Sequence, residues 1–515
     1  MTIGEIRVHE AEASPTDPNL ATDPALWPAH RQAAAIRSRE LSSRELLDAM
    51  VARIERLNPT YNAVVTLEVE RGRRLAAAAD ETIAHGYDHG PLHGLPITVK
   101  DALDVAGMRS TGGAAHFADR VPDADALAVA NLVAAGAFCF GKTNVPEWSG
   151  DIQTYNDLFG TTNNPWDRAR TPGGSSGGAA TAVALGMTAF EIGTDIGGSV
   201  RIPAAYTGMA GHKPSYGLVP TGGYFDGPDG GLTEPDVNVH GPIARSVDDL
   251  DLLLGVLASP APDRAVAWRV ELPPPRHARV RGYRVAVWPD DPACPVSPDT
   301  AAAIAHVGDV LATAGCTVDG TARPAIDAAD AALLGSTLVG AAVSPSMTPE
   351  EYAAAAQQAH AHAAGSLAGR LAGGYVTSHV DWLAMDRERA RIRRAWAAFF
   401  EDHDVLLCPV VARPPFPHHQ AGSFGTRTIE IVGVERPYRD LTWWAVLVGM
   451  AYLPATVVPV GRTADGLPIA VQIVGPYLED RTTIDVARHV VERIGPILLP
   501  PSGAEATERS GSRDG

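Results

Sequence analysis

The chain has 515 residues, 45% of them hydrophobic and 20% charged, which is the composition of a globular protein with a substantial core. Its formal net charge of -18, from 60 acidic and 42 basic residues, argues against a nucleic acid or an anionic membrane as partner, because both favour clustered lysine and arginine. A small uncharged or cationic ligand is expected instead.

Cysteine usage and the first twenty residues indicate the cellular compartment. The cysteines are far apart and form no C-x-x-C pair, which favours free buried thiols in a reducing compartment over disulfides or a metal site. They are Cys139, Cys294, Cys316 and Cys408. The stretch MTIGEIRVHEAEASPTDPNL lacks the basic and apolar regions of a secretory signal. We therefore predict a cytoplasmic protein.

The first predicted elements alternate between helix and strand. In SSRELLDAMVARIERL, Ser42 and Glu45 have the spacing of a capping box, and the apolar residues that follow line one helix face. GLPITVKDALDV predicts a strand over residues 97–99 with Lys100 at its end. DALAVANLVAAGAFCFGKTN predicts a helix that stops at Gly136 and then a second strand.

The alternation continues in the second half of the chain. RGYRVAVW, TAAAIAHVGDVLATAG and CTVDG, within residues 281–320, predict strand, helix and strand, and QIVGP near residue 472 predicts a late strand. Residues 325–400 are rich in alanine and predict helices only. This order of elements favours an α/β fold with layers of helix and sheet. The polar tail from residue 501 is expected to be disordered.

One uncharged segment has the length of a membrane span. LTWWAVLVGMAYLPATVVPVG, residues 441–461, carries no charge, but Pro454 and Pro459 interrupt it. We predict a helix over residues 442–452 followed by a short buried strand over residues 456–458.

Two literal motif matches lack the structural context that their chemistry requires. GAFCFGKT, residues 136–143, matches a phosphate-binding loop, but its middle positions favour a strand and Pro146 opposes a helix after Lys142. Nucleotide binding through this segment stays a remote alternative. GGSSG, residues 173–177, matches the nucleophile elbow of α/β-hydrolases, but the preceding NNPWDRARTP is too polar and proline-broken for a central strand.

A third interpretation joins two glycine-serine clusters, TPGGSSGG and TDIGGSVR. The short apolar stretch between them allows both clusters to meet in one cleft. In the second cluster, Gly197 and Gly198 let backbone N–H groups converge on an oxyanion beside the hydroxyl of Ser199. A serine nucleophile also needs a base, and neither cluster contains a group that titrates near neutral pH.

The segments GLPITVKD, TPGGSSGG and GTDIGGSVRIPA, in this order, resemble the amidase signature family, which hydrolyses amides with a Ser, cis-Ser, Lys triad. The resemblance implies that Lys100 is the base, Ser175 the bridging serine after a cis peptide, and Ser199 the nucleophile that forms an acyl-enzyme. The N–H groups implied for the oxyanion are those of Ile196, Gly197, Gly198 and Ser199. No cofactor and no metal are implied.

Three further residues are expected to support this site. Ser176 is expected to hydrogen-bond to Lys100 or to the local backbone, and Asp195 to pair with Arg201 and brace the oxyanion loop. Lys100 accepts a proton only when it is neutral, which requires burial that lowers its pKa from about 10.4.

The resemblance covers most of the chain and weakens through residues 260–400 and at both termini. It implies one α/β/α domain over residues 1–500, with a mixed central sheet flanked by helices. Its signature core spans residues 90–255, and a helical cap or insertion spans residues 325–400. A small amide substrate and a homodimer are further expectations. The substrate and its pocket stay open, although the aromatic residues Tyr155, Phe159, Tyr216, Tyr224 and Phe225 and the helical stretch over residues 352–382 are candidates.

An alternative within the same family is the glutaminase-type component of a tRNA-dependent amidotransferase. Such components usually carry a stretch like GRVSRYGLV after the second cluster. This chain has SYGLVPTGGYF instead, which favours a self-contained hydrolase.

Overall fold

The computed structural model describes residues 22–225, 227, 231–361 and 367–501. The predictions for the first twenty residues and for the tail beyond Pro501 lie outside the described residues.

Strands are found along nearly the whole described chain. They are β1 (Val64–Leu67), β2 (Pro96–Lys100), β3 (Phe138–Thr143), β4 (Tyr155–Asn156), β5 (Gly160–Thr161), β6 (Glu191–Asp195), β7 (Ala210–Lys213), β8 (Val239–Ala244), β9 (Arg284–Val287), β10 (Thr317–Asp319), β11 (Val405–Cys408), β12 (Thr428–Ile431), β13 (Val434–Pro437), β14 (Ala455–Arg462) and β15 (Pro468–Val474).

The α-helices alternate with these strands. They are α1 (Ala29–Ser38), α2 (Ser43–Tyr61), α3 (Val69–Ala84), α4 (Leu127–Ala134), α5 (Gly177–Ala184), α6 (Arg201–Thr207), α7 (Val247–Leu257), α8 (Pro298–Thr313), α9 (Ala328–Val343), α10 (Pro349–Ala361), α11 (Leu367–Tyr375), α12 (His379–Asp402), α13 (Trp443–Gly449) and α14 (Asp480–Ile494).

The largest sheet has eight strands in the order β10-β9-β11-β15-β14-β7-β8-β6. It is mixed, because β9 pairs in parallel with β10 and β11 whereas the other pairs are antiparallel. A smaller sheet has the order β1-β3-β2. The mixed central sheet flanked by helices confirms the predicted α/β fold.

Both faces of the large sheet are covered, as the alternation along β15 shows. Ile469, Val471 and Ile473 belong to one buried apolar cluster, together with residues of α7 and α14. Ala470 and Val474 belong to a second cluster, together with residues of α12 and α13. Because successive residues of a strand point to opposite faces, a continuously apolar strand is stable only between two such cores.

The helix and strands predicted before residue 145 are confirmed. Helix α2 begins with the expected capping box, in which the Ser42 hydroxyl accepts from Glu45 N and the Glu45 carboxylate accepts from Ser42 N. Strand β2 ends at Lys100. Helix α4 and strand β3 flank Gly136, whose φ of +100° is readily adopted only by glycine.

The later predictions are also confirmed. Strand β9, helix α8 and strand β10 follow the predicted alternation, and β15 is the late strand. Helices α9 to α12 occupy the region expected to be helical, apart from residues 362–366, which lie outside the described residues. Treating these helices as a cap beside a signature core stays a prediction.

The uncharged segment over residues 441–461 folds as a short helix and a buried strand. Helix α13 is shorter than predicted, and β14 begins one residue before the predicted strand. In the part of the chain that the structure describes, no helix combines the length and apolarity needed to cross a membrane.

The two sheets meet at a seam between β2 and β6. Each of these strands is the edge of its own sheet. At the seam, Ala189 N donates to Pro96 O at 3.3 Å, and Thr98 N donates to Thr188 Oγ1 at 2.9 Å. The candidate site is built at the far end of this seam, where β2 ends at Lys100 and β6 ends at Asp195.

Candidate active site

Lys100 lies at the end of β2, a strand whose five residues are all buried. Its Nζ is 2.6 Å from Ser175 Oγ and 2.7 Å from Thr194 Oγ1, and the side chain has no exposed surface. The structure therefore brings the predicted base into direct contact with the predicted bridging serine.

The surroundings of Lys100 favour its neutral form. Burial lowers the pKa of its amine to about 7, although the charges of Asp195 and Glu191 act in the opposite direction. A neutral amine has a lone pair, so Lys100 can accept a proton from the Ser175 hydroxyl near neutral pH.

Ser175 lies in the tight turn before α5. The peptide bond between Gly174 and Ser175 is cis. A Cβ atom at Gly174 would lie 2.7 Å from Asp151 O and from both Gln153 N and Gln153 O. No side chain fits at this position, which explains why the sequence has glycine before the serine.

Ser199 lies in the turn between β6 and α6, and 6% of its surface is exposed. Its carbonyl oxygen accepts from Ser176 N at 3.2 Å, which joins the two glycine-serine clusters. Within the described residues, its hydroxyl forms no hydrogen bond to another side chain. Among the described residues, the structure therefore joins Lys100 to Ser175 but shows no hydrogen bond between the side chains of Ser175 and Ser199.

The turn before Ser199 supplies candidate donors for an oxyanion. Gly198 N donates to Asp195 Oδ1 at 2.9 Å, so this predicted donor is already engaged. No described residue accepts from the N–H groups of Ile196, Gly197 or Ser199, and the first two residues are half-buried rather than fully buried. Of the four N–H groups predicted to bind an oxyanion, three thus have no acceptor among the described residues.

Asp195 and Arg201 form a fully buried pair behind this turn. Arg201 donates to both carboxylate oxygens, with Nη2 to Oδ1 at 2.8 Å and Nε to Oδ2 at 3.0 Å. Although burial opposes ionisation, the charge and hydrogen bonds of Arg201 lower the pKa of Asp195 to about 2. Arg201 Nη1 also donates to Ala445 O and Gln472 Oε1, so the turn is attached to α13 and β15.

Ser176 is fully buried and contacts the backbone rather than Lys100. Its Oγ lies 3.5 Å from Thr194 O, at the limit of a hydrogen bond, and its N–H makes the contact with Ser199 described above. Of the two partners predicted for this residue, the structure provides only the local backbone.

Thr194, the second hydroxyl in contact with Lys100, is not among the site residues predicted from the sequence. A usable signal was present, because Thr194 is the polar residue immediately before Asp195 at the end of the strand-like stretch EIGTD. Its role depends on the neighbouring sheet, however, because the amine that it contacts comes from β2.

Lys142 has a structural role instead of the phosphate-binding role that its motif suggests. It is fully buried in β3, donates to Leu103 O and to Ser110 Oγ, and lies 3.8 Å from Asp101. Three of the four middle positions of GAFCFGKT, residues 138–140, also belong to this strand, so the chain forms no loop around a phosphate there.

Three aromatic rings lie close to the segment that follows Lys100. The rings of Phe117, Trp148 and Phe225 pack edge to face, with centroids 5.2 to 5.6 Å apart. Phe225 N donates to Ala102 O at 2.7 Å, so this aromatic cluster is attached two residues from the amine. Phe225 is one of the aromatic candidates predicted from the sequence, whereas Phe117 and Trp148 are not.

Two of the other aromatic candidates are occupied by other contacts. Tyr216 stacks on Tyr452 with centroids 4.3 Å apart, and the Tyr155 hydroxyl donates to Asp151.

Among the described residues, no group of three or more His, Cys, Asp or Glu side chains is arranged to hold a metal ion.

The family model described as Amidase matches residues 45–484. The chain belongs to the amidase signature family. The predicted family is therefore confirmed, and its members are serine amidohydrolases that act on C–N bonds.

Curated relatives align along nearly the whole chain. An indoleacetamide hydrolase from Bradyrhizobium diazoefficiens is 34% identical over 91% of this chain and 87% of its own length. An acylamidase from Rhodococcus erythropolis is 32% identical over 89% of this chain and 94% of its own. A component of the glutamyl-tRNA(Gln) amidotransferase from a Synechococcus strain is 32% identical over 88% of this chain and 93% of its own.

Solved structures show the same fold. A 6-aminohexanoate cyclic dimer hydrolase matches this amidase with a TM-score of 0.76 and 26% identity, over 93% of this chain and 99% of the other. A bacterial aryl acylamidase of the amidase signature family matches with a TM-score of 0.76 and 25% identity, over 91% and 96%.

Proposed function

We propose that this amidase acts on its own and hydrolyses a small carboxylic acid amide through an acyl-enzyme on Ser199. The observation that carries the proposal is the 2.6 Å contact between the buried Lys100 amine and the Ser175 hydroxyl. It supports a relay in which the amine acts on Ser199 through Ser175, because a serine hydroxyl is a weak nucleophile until a base takes its proton.

In the first half of the reaction, Ser199 Oγ attacks the amide carbonyl carbon. Once the Ser199 hydroxyl turns toward Ser175, its proton passes to Ser175, whose own proton passes to Lys100. The oxyanion accepts hydrogen bonds from the N–H groups of Ile196, Gly197 and Ser199. The C–N bond then breaks, Ser175 returns a proton to the leaving nitrogen, and Lys100 restores the proton of Ser175.

In the second half, water takes the place of the departed ammonia or amine. Ser175 removes a proton from the water as Lys100 again accepts one, and the resulting oxygen attacks the acyl carbon. Collapse of this second intermediate releases the carboxylic acid and reprotonates Ser199. No other reactant is consumed, so the site returns to its starting state.

We propose an acyl group that carries an aromatic ring. The cluster of Phe117, Trp148 and Phe225 offers aromatic surface next to Ala102, and edge-to-face packing is favourable for a flat ring. The name of one relative points the same way, since the acyl group of indoleacetamide carries an aromatic ring.

The competing proposal is the glutaminase component of an amidotransferase, which the similarity to the Synechococcus protein favours. The departure of SYGLVPTGGYF from the usual stretch of such components supports the stand-alone enzyme.

We also propose a cytoplasmic homodimer. The four cysteines are free and buried, as in proteins of reducing compartments, and light scattering should give twice 54.0 kDa.

The test is turnover by the purified chain alone. We expect release of ammonia or amine from arylacetamides and aryl acylamides, and labelling of Ser199 by a fluorophosphonate probe. Ser199→Ala should reduce kcat about ten-thousandfold. Ser38→Ala, which changes a serine at the end of α1 far along the chain from the site, is the matched control and should retain wild-type turnover. The competing proposal would be favoured if glutamine were the one substrate hydrolysed and if its hydrolysis required added partner proteins.

A further inference from the structure

Glu191 is a fully buried carboxyl group to which the proposed reaction assigns no step. It is the first residue of β6, three residues before Thr194. Its Oε1 accepts from Thr98 Oγ1 at 2.8 Å and from Thr143 Oγ1 at 2.9 Å, and its Oε2 accepts from Ile192 N at 3.0 Å. A buried carboxyl with three donors arranged around it is a built feature of the core, since an unpaired one would be strongly destabilising.

The hydrogen bonds of Glu191 cross the seam between the two sheets. Thr98 lies on β2 and Thr143 on β3, which belong to the small sheet, whereas Glu191 lies on the large sheet. Thr98 is two residues from Lys100 and therefore shares its strand face. A single carboxyl oxygen thus holds two strands of the small sheet against the strand that carries Thr194.

We propose that Glu191 is a positioning residue for amide hydrolysis, which joins the strand of Lys100 to the strand of Thr194 and so sets the contacts of the amine. This inference rests on the proposed function, because it assigns a role toward the same base. Glu191 does not touch the amine and reaches it only through the strands.

The charge of Glu191 also acts on Lys100. The groups that face the amine are Glu191 and Asp195 on β6, which favour its protonated form, and His240 on β8, whose pKa is lowered to about 3 by burial and by the charge of Lys100. Arg201 neutralises Asp195 directly, whereas Glu191 has no such ion pair among the described residues.

Glu191 itself faces hydroxyl groups and one more buried cation. Burial raises its pKa to about 7, while Thr98, Thr143 and the charge of Lys142 on β3 act to lower it. The carboxyl group and the Lys100 amine therefore exchange protons in the same pH range, and their titrations are coupled. Removing the carboxyl charge should make the protonated amine less stable.

The first experiment compares Glu191→Gln with Glu191→Met. Glutamine keeps an oxygen for the two threonines but loses the charge and the second oxygen, which accepts from Ile192 N. Because the contacts across the seam remain, kcat at pH 9 should stay within about threefold of wild type. The acid limb of its pH–rate profile should move to lower pH. Methionine has neither the charge nor an oxygen for the threonines, so in this variant kcat at pH 9 should fall at least tenfold with KM little changed. An unmoved limb in Glu191→Gln, or equal kcat values for the two variants, overturns the proposal.

The second experiment changes the donor, so that it remains decisive if a Glu191 variant does not fold. Thr98→Val removes one hydrogen bond across the seam and should lower kcat about tenfold at every pH, whereas Thr98→Ser restores the hydroxyl and should recover it. Equal rates for these two variants overturn the proposal.

Asp480 provides the matched control for a buried carboxyl. It accepts from both Ser215 N and Ser215 Oγ at 2.7 Å and is fully buried, but its partners lie on the β7 side of the large sheet. Asp480→Asn should leave the acid limb where it is, and a matching shift in this variant also overturns the proposal. Failure of the proposed function would look different, because wild-type protein would then hydrolyse no amide at any pH.

Discussion

Acidification from pH 8 to pH 6 should lower kcat/KM of this amidase, and the size of the decrease depends on the pKa of the buried Lys100 amine. Burial lowers the pKa of the amine from 10.5 to about 7. Such an amine is about nine-tenths neutral at pH 8 and about one-tenth neutral at pH 6, so kcat/KM should fall about tenfold. An exposed lysine at its ordinary pKa would lose about a hundredfold over the same interval and would still gain activity above pH 9.

The assay is kcat/KM for an uncharged amide between pH 5.5 and 9.5. Lys213 is the matched control, because burial also lowers its pKa to about 7, while among the described residues its Nζ donates to the Pro214 carbonyl alone. Lys213→Met should keep the acid limb of the wild type, and Lys100→Met should have almost no activity at any pH. A limb that disappears in Lys213→Met, or a rate that keeps rising to pH 9.5, would refute the assignment of the base.

The same pKa shift makes a prediction for stability. Because the folded pKa of Lys100 is below the unfolded one, the unfolded chain binds more protons between pH 7 and pH 10.5. The resulting cost, about 5 kcal/mol, is fully present below pH 7 and is relieved as the pH rises through this window. In urea titrations, the free energy of unfolding of Lys100→Met should therefore exceed that of wild type most at about pH 6 and least above pH 9.

Three other substitutions test separate parts of the site. Thr194→Val removes the second contact of the Lys100 amine and should lower kcat about tenfold with KM unchanged, whereas Thr194→Ser should retain activity in the same steady-state assay. Asp195→Asn leaves the buried charge of Arg201 uncompensated and should reduce the free energy of unfolding by about 3 to 5 kcal/mol in urea titrations. Trp148→Ala should raise KM about tenfold for arylacetamides and leave that for acetamide within about twofold; equal changes for both would contradict an aromatic pocket.

The sequence was sufficient for elements whose signals are local. Helix α2 follows from its capping box and apolar face, and β2 follows from a short apolar run that ends in Lys100. The glycine-serine clusters were recognisable because close approach of the backbone requires glycine, as the contacts around Gly174 show. These features depend on residues that are neighbours in the chain.

The missed features depend on which edges of the two sheets adjoin. Nothing in EIGTD indicates that Glu191 accepts from threonines of β2 and β3, or that Thr194 meets an amine from another sheet. The engagement of Gly198 N by Asp195 was missed for a related reason, since glycine pairs allow several turn geometries and the buried carboxylate selects one.

The seam between the sheets explains how the proposed base, Lys100, can stay neutral in this fold. An amine stays neutral near pH 7 only where water is excluded, and an edge strand normally faces solvent. Here each edge covers the other, so β2 delivers Lys100 to a dry interface while β6 delivers Thr194 and the turn of Ser199 from the opposite side. The free energy required to bury the amine is offset by the apolar packing of two sheets rather than one. A mutation that opens the seam should therefore raise the pKa of Lys100 before it unfolds the chain, and activity at neutral pH should decrease before stability does.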